Sequence, residues 1–428
     1  MQRGTATAAP GRTRLLGRVA DVHAGEGTAV VLSAAYFFAL LCGMYMLRPL
    51  REEMGIRGGV ERLDLAFLAT FAAMLVAVPL ASAIFARVPR GRAIPLVYGF
   101  FVMNLLGFAA LFGGARAPAW APHAFFVWVS VYNLFVTSVF WSFMADLFTS
   151  EQGRRLFGVI AAGGSAGALA GPALTAVLVP LLGVSGIVLL SAALLGAAAA
   201  CAIALARRAS AGSAAVRREG GAVGGGPFAG FTAVARSPYL LALALQIVGV
   251  TVTATFLYFQ QARIVASAVR DPATRTQLFA AVDLGVNLLS LALQGLATGR
   301  ILAGAGLAAG LVLHPLVALG GLLAIAAAPS LALIAGVQAL RRAVHYAIER
   351  PAREVLFTVV GREDRYKAKG FIDTVVYRGS DAASALVQGR LIAAGVGFGG
   401  SALVAAPIAL GWLGVALYLA RKHEHIER

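Results

Sequence analysis

Charge is scarce in this chain. Only 13% of its 428 residues are Asp, Glu, Lys or Arg, 59% are hydrophobic, and the mean hydropathy is +0.81. A soluble domain carries roughly 25% charged residues to cover its surface, so a water-soluble globular fold is excluded. Cysteine is nearly absent. Cys42 and Cys201 each lie inside an apolar run, which rules out a CxxC metal site or a disulfide framework and leaves them as small buried hydrophobes. Period-two alternation is missing, which excludes a β-barrel. There is no Walker A sequence, so ATP hydrolysis does not drive the protein. No catalytic, metal or cofactor constellation is read from the sequence, and neither an enzyme nor a cofactor is expected. The first 26 residues lack a small-residue cleavage site and read as a cytoplasmic tail before an uncleaved helix.

Long apolar runs are what the chain has. Crossing the hydrocarbon takes about 20 such residues in a helix. Charge-free runs of that order occur at 27–47, 65–86, 93–115, 156–206, 237–262 and 391–420, and the 51-residue run is broken by Pro180 and Gly183. Twelve spans are predicted, at about 27–50, 63–86, 93–114, 120–147, 156–180, 184–206, 238–262, 277–299, 301–325, 329–350, 371–396 and 400–420. With the N-terminus inside, inner segments hold 24 of the 36 Arg and Lys and outer segments 8. Arg341, Arg342, Arg378 and Arg390 fall within spans. That asymmetry places both termini in the cytoplasm of a multi-pass protein. The +17 net charge is therefore a membrane signature, and no nucleic-acid partner is expected.

The chain divides in two. Residues 207–237, rich in Gly, Ala, Ser and Arg, read as a cytoplasmic linker between helices 27–206 and 238–420, with a tail at 421–428. The halves echo each other: "LFTSEQGRRLFGVI" from Leu147 and "LFTVVGREDRYKAKGFI" from Leu356 sit at the same topological place. Two similar bundles that rock about a central site give alternating access. The expected fold is all-α, two pseudo-symmetric six-helix bundles of the major facilitator type.

Aligning the echoes puts Arg341 and Arg342 opposite Tyr132 and Asn133, deep in the tenth span. A charge there costs about 2.5–3.5 kcal/mol even on lenient scales, so it faces a cavity, a partner or a substrate. Arg341, His345, Glu349 and Arg353 recur every fourth residue and form one polar stripe. Either the stripe lines a cavity or its Arg–Glu pairs lock helices together. In the eleventh span Tyr377, Asp381, Ser384 and Gln388 share a face, with Arg378 either paired to Asp381 or free for substrate. Asp283, with Asn287 one turn on, is a candidate carrier of H+ or a structural partner for an arginine. At the end of the first span, Tyr45, Arg48, Arg51, Glu52 and Glu53 either project into a cleft or snorkel at the interface. Gly163, Gly167 and Gly171 serve close helix packing rather than a phosphate loop, and His123 and His314 read as satisfied core histidines. Arginines outnumber acids among these groups. Guanidinium forks suit phosphate or carboxylate, so a small anionic substrate is expected, with H+ or a counter-substrate coupled to it.

The stretches "YMLRPLREEMG", "FWSFMADLFTSEQGRRLFG", "FLYFQQA", "ERPAREVLFT" and "RYKAKGFIDTVVYRGSD" resemble the ATP/ADP translocase-like nucleotide transporters of bacteria and plastids, and the short bacterial relatives above all. The resemblance implies nucleotide exchange across a bacterial inner membrane, with no oligomer required. By the same resemblance, Arg51 and Glu52 after the first span, Glu151 after the fourth and Lys369 entering the eleventh inherit transport roles. Glu151 and Arg353 are candidate gating residues. The seventh span, "VTVTATFLYFQQARIV", lacks the glutamate and lysine of the classical exchangers, and Arg51 stands where they have lysine. Two other classes remain open: a proton-coupled exporter of hydrophobic or cationic compounds on the same fold, and a non-transporting scaffold or receptor.

Overall fold

The structure, a computed structural model, describes residues 22–23, 26–87, 90–114, 117–211 and 229–427, and among them no strand occurs. The first four long helices are α1 (Gly27–Arg57), α2 (Leu63–Arg87), α3 (Arg90–Gly113) and α4 (Ala121–Leu147). The stretch Ser150–Ala211 is two helices, α5 (150–182) and α6 (184–211), that meet at Gly183 with φ +65° and ψ −177°. A glycine adopts that conformation without strain. Next come a short helix, Ala229–Arg236, and α7 (Pro238–Ala268). Helix α8 is Pro272–Leu293 prolonged by a π turn at Gln294–Thr298, and α9 is Gly306–Ala327. Helix α10 joins Leu331–Val344, a π turn at His345–Glu349, and Arg350–Leu356. Helix α11 joins Arg362–Phe371, a π turn at Ile372–Val376, and Tyr377–Ala393, and α12 is Phe398–Glu427. The predicted linker lies largely at 212–228, and most of the predicted N-terminal tail at 1–21; both stretches are outside the described residues.

The helices begin where chemistry tells them to. Ser237, Asp271 and Ser330 accept hydrogen bonds from the backbone N–H of Leu240, Thr274 and Leu333, and proline follows the cap in α7 and α8. Among the described residues nine helical stretches are long and apolar enough to cross a membrane. The 58-residue one, Glu151–Arg208, holds the Gly183 break and counts as two crossings. Helices α10 and α11 complete the twelve. Their mid-helix charges keep them below an apolar criterion, although at 26 and 32 residues both are long enough. Several helices extend beyond the apolar runs because their ends are polar residues that continue the hydrogen-bond ladder.

Packing follows the repeat. In the first half α1 lies against α5/α6 and α4, and α3 against α6; in the second half α12 lies against α7 and α9, and α10 against α8. The halves meet through α2 with α11 and α5 with α8. A six-helix shift maps each of those contacts onto the other, which is the mark of a pseudo-two-fold pair. Large exposed apolar residues such as Leu65, Leu68, Phe100, Met103, Leu241, Leu245, Leu403 and Leu410 cover the outer flanks. In water such patches mark interfaces; around a bundle of this hydropathy they face lipid.

The glycine stripe of α5 behaves as its spacing predicts. A Cβ at Gly163 or Gly171 would come within 2.5 Å and 2.6 Å of the Ala34 and Cys42 carbonyl oxygens, and one at Gly167 would collide with the Phe38 carbonyl. Helix α1 therefore rides directly on the α5 backbone.

Candidate functional site

Helices α1, α8, α10 and α11 each bring a charge near their midpoint to one place. Arg48 and Arg51 come from α1, Asp283 from α8, Arg341 and Arg342 from α10, and Arg378 and Asp381 from α11. They line a cavity of about 810 Å³ between the halves, within the range of small-molecule sites. A larger hollow of about 1160 Å³ lies among α2, α3 and α4, walled by residues such as Leu65, Val76, Leu80, Leu96 and Phe100. It holds Arg62 and His123 at one edge and is otherwise a lipid-facing groove, so the chemistry belongs to the smaller space.

The charges are unevenly paired. Asp283 lies 2.6 Å from the Arg342 guanidinium and 3.6 Å from that of Arg48, tying α1 through α8 to α10. Arg51 pairs with Glu52 at 3.1 Å, donates to the Phe126 carbonyl at 3.3 Å and lies 3.7 Å over the Phe126 ring. Asp381 accepts from the Thr255 hydroxyl at 2.6 Å and sits 3.7 Å from Arg378. Arg341, 6% exposed, donates to Gln338 at 3.0 Å, and Gln338 donates in turn to Gln261 at 2.8 Å. No carboxylate lies within ion-pair distance of Arg341 among the described residues. In all, the lining holds seven arginines (48, 51, 341, 342, 350, 353, 378) and four acids (Glu52, Asp283, Asp373, Asp381), a surplus of three positive charges. Tyr45, Tyr258, Tyr346 and Tyr377 add aromatic walls.

The end of the bundle away from the termini is shut. Glu53, fully buried on α1, takes a bidentate pair from Arg275 of α8 at 2.7 and 2.8 Å. Phe67 of α2 packs on Tyr258 and Phe259 of α7 at 5.2 and 5.6 Å. Asn287 and Gln277 of α8 donate to the Ala168 and Ala176 carbonyls of α5. Toward the terminal end the cavity is lined by Arg350, Arg353 and Asp373, so it extends that way.

Not every residue singled out from sequence reaches this space. Lys369 pairs with Glu354 at 2.5 Å beside Phe357, outside the lining residues. Gln388, on the Tyr377 face, is 1% exposed at the closed end, where α11 meets α2. Glu151 is exposed at the start of α5, away from the cavity. Glu349 is fully buried behind the wall against His345, while Arg353 reaches the lining and lies 4.0 Å from Asp373. His314 is a correction: neither ring nitrogen has a hydrogen-bond partner, so it is not a satisfied core histidine. Sequence reasoning missed the Glu53–Arg275 pair and the π turns, those in α8, α10 and α11 and a fourth at Ile301–Ala305 just before α9. The turns of α8 and α10 touch, where the Thr298 hydroxyl takes up the Ala347 carbonyl at 2.8 Å.

Solved structures share the fold. The chain is similar to a POT family transporter in complex with 5-aminolevulinic acid, at TM-score 0.63 and 12% identity over 94% of this chain and 97% of that one. The fold is of the major facilitator type. It is similar also to a bacterial homologue of the human lysosomal transporter Spinster, in an inward-facing and unoccupied conformation, at TM-score 0.56 and 16% identity over 94% of each chain. A third similar structure is the nucleoside transporter NupG, at 0.57 and 13% over 93% of this chain and 99% of that one. No family model matches the sequence, and no curated protein matches it. The major facilitator fold is thus established by shape, while the likeness to ATP/ADP translocase-like proteins rests on the residues quoted above.

Proposed function

We propose that the protein is a secondary transporter of a small phosphorylated or carboxylated anion, nucleotide-like in kind, working by alternating access in a bacterial inner membrane with both termini cytoplasmic. The observation that carries this reading is Arg341, a buried guanidinium on the cavity wall with a neutral amide for its partner. A desolvated cation without a counter-ion is costly, and a cargo anion relieves it. The tyrosine walls offer faces on which a base can stack, worth about 1–3 kcal/mol per base. The transporter likeness of the fold supports the same class.

The mechanism follows from Asp283. Its carboxylate holds Arg48 and Arg342 together across the two halves. An entering anion competes with Asp283 for those guanidiniums, and the displaced carboxylate loosens the link between 27–206 and 238–420. Rocking of the two bundles then breaks the Glu53–Arg275 closure and opens the opposite face. Cargo binding is converted into motion because one carboxylate serves both halves. Either a counter-substrate or a proton on Asp283 or Glu349 resets the cycle.

A second reading has an observation in its favour. Arg48, Arg342 and Arg378 all have an acid within 4 Å, as a proton-coupled exporter of neutral or cationic compounds requires. One experiment separates them. The detergent-purified protein is screened by thermal shift against nucleotides, sugar phosphates and organic acids, and hits are tested for uptake in proteoliposomes. A ligand at 100 times its dissociation constant stabilises by about 2.7 kcal/mol. Stabilisation by phosphorylated anions, lost in Arg341→Ala, supports the anion reading. Uptake of every substrate left intact by Arg341→Ala and by Arg342→Ala sinks it.

A further inference from the structure

Behind the cavity wall three ligand-bearing side chains converge. His314 projects from α9, and His345 and Glu349 come from the π turn of α10, four residues apart and so on one face. One ligand atom from each lies within 4.8 Å of the other two. His314 and Glu349 are fully buried. His345 Nδ1 is 2.9 Å from a Glu349 carboxylate oxygen, yet neither atom meets hydrogen-bond geometry. Both nitrogens of His314 and both oxygens of Glu349 likewise have no hydrogen-bond partner. The ligand atoms of the three side chains are thus gathered in one small buried volume. The Trp412 ring closes one side, edge-on to His314 at 4.8 Å.

Leaving a buried polar atom unpaired costs about 1–3 kcal/mol, and here five such atoms sit together. A core that simply stored two histidines and a glutamate would pair them by N–H to O hydrogen bonds. Two imidazoles and one carboxylate are instead the donor set that suits a first-row divalent ion, with a fourth position left for an exogenous ligand. Small shifts of the side chains would bring all three to the 2.0–2.2 Å of zinc coordination. His345 also lines the cavity, so an ion can arrive from there without crossing packed core. Arg341 and Arg353 act electrostatically on His314 and oppose a bare dication. Their presence favours an anionic fourth ligand, and the cavity is the side from which one comes.

We propose that His314, His345 and Glu349 form a binding site for a divalent transition metal of the zinc class in the second half of the bundle. The site stands apart from the identity of the cargo, and its test reads metal, not transport. Protein purified without a histidine tag is titrated with Zn2+ against a chromophoric chelator, and with Co2+ by visible absorption. The expected result is one tightly held Zn2+ per chain, the d–d bands of four-coordinate Co2+, and a rise in melting temperature on adding Zn2+. In His314→Gln, His345→Ala and Glu349→Gln the affinity falls by about 100-fold or more and the Zn2+-induced shift disappears, while the metal-free melting temperature shows that each variant is folded. Absence of stoichiometric Zn2+ binding overturns the proposal. So does binding that is unchanged in all three variants, because the metal then sits elsewhere.

Discussion

Between Val30 and Leu205 the buried core is built from tyrosines, phenylalanines and aliphatics. Tyr36 and Tyr98 share a hydrogen bond, Phe37 stacks on Phe140 at 4.1 Å, and Trp128 stacks on Tyr132 at 5.0 Å. Among the described residues, the single buried charge of that half is Glu53, and its partner Arg275 belongs to the other half. From Gln246 to Gln388 the picture reverses: five glutamines, Asp283, His314, Arg341, Glu349 and Arg353 are buried within the same six-helix plan. The contrast teaches a division of labour. The first half is a stiff block fastened by glycine contacts and aromatic stacking. The second half holds most of the buried polar and charged groups of the bundle.

The sharpest way to break that comparison is to truncate cavity side chains at repeat-equivalent places in the two halves. Replacing Arg341 and Arg342 by alanine together is expected to abolish uptake, with anion affinity down at least about 30-fold, since truncating a buried charge costs about 2–5 kcal/mol. Asn133→Ala, at the repeat-equivalent position in α4 and also on the cavity wall, should change affinity by less than about threefold. Binding isotherms for the ligand found by screening check both; equal losses would end the idea of a charge-bearing and a scaffold half.

Next in size is the buried ion pair that closes the far side between the halves. Glu53→Gln leaves Arg275 without its counter-ion on the closed side, and breaking a buried pair costs about 3–5 kcal/mol. The equilibrium is expected to shift by about 100-fold or more toward opening of that face. Distances between spin labels at Glu61 and Arg270, both exposed at that end, report it. An unchanged distance distribution would mean that the aromatic seam of Phe67, Tyr258 and Phe259 holds the closure alone.

Packing offers a smaller contrast. Gly167→Ala drives a methyl into the Phe38 carbonyl of α1 and should destabilise by about 1–3 kcal/mol. Gly336→Ala on α10, with nothing within 4 Å of the new Cβ, should be neutral or stabilising by up to about 1 kcal/mol. Melting temperatures of the two variants in one detergent test the pair, and a comparable drop in both would contradict a stiffer first half.

Which of these features could be read in advance depended on how far the chemistry was local. Most of the crossings were legible because apolar length is a property of consecutive residues, and the Gly163–Gly167–Gly171 stripe because its consequence lies on one helix face. The depth of Arg341 and Arg342 came from the repeat, since the two loops that follow α4 and α10 are alike. What stayed hidden needs register between distant helices. Nothing in "LREEMG" or "ATRTQ" says that Glu53 meets Arg275 across more than two hundred residues. The π turns have no sequence signature either, and the resemblance that singled out Lys369 says nothing of its pairing with Glu354. His314 was misread because the polar groups beside it, His345 and Glu349, come from another helix.

The smallest effect concerns the terminal end, where Glu26 precedes α1 and ties it to α5. Its carboxylate accepts from Gln152 at 2.9 Å and from Arg155 at 3.2 and 3.3 Å, and these bonds, the Gln152 one foremost, hold its pKa down at about 2, against an ordinary 4.5. Its charge also suits the positive end of the α1 dipole. A carboxyl whose folded pKa is depressed adds stability that is fully present above about 4.5 and is lost as the pH falls toward 2. As a partly exposed pair it is worth about 0.2–1 kcal/mol. Glu26→Gln should therefore melt slightly below the parent at pH 7, the gap narrowing at pH 3 and nearly closing only near pH 2. A gap that is constant with pH would assign the loss to Gln152 packing and not to charge. The same scan with Glu53→Gln supplies the contrast between a link inside one half and a link across the two, which the proposed cycle has to break.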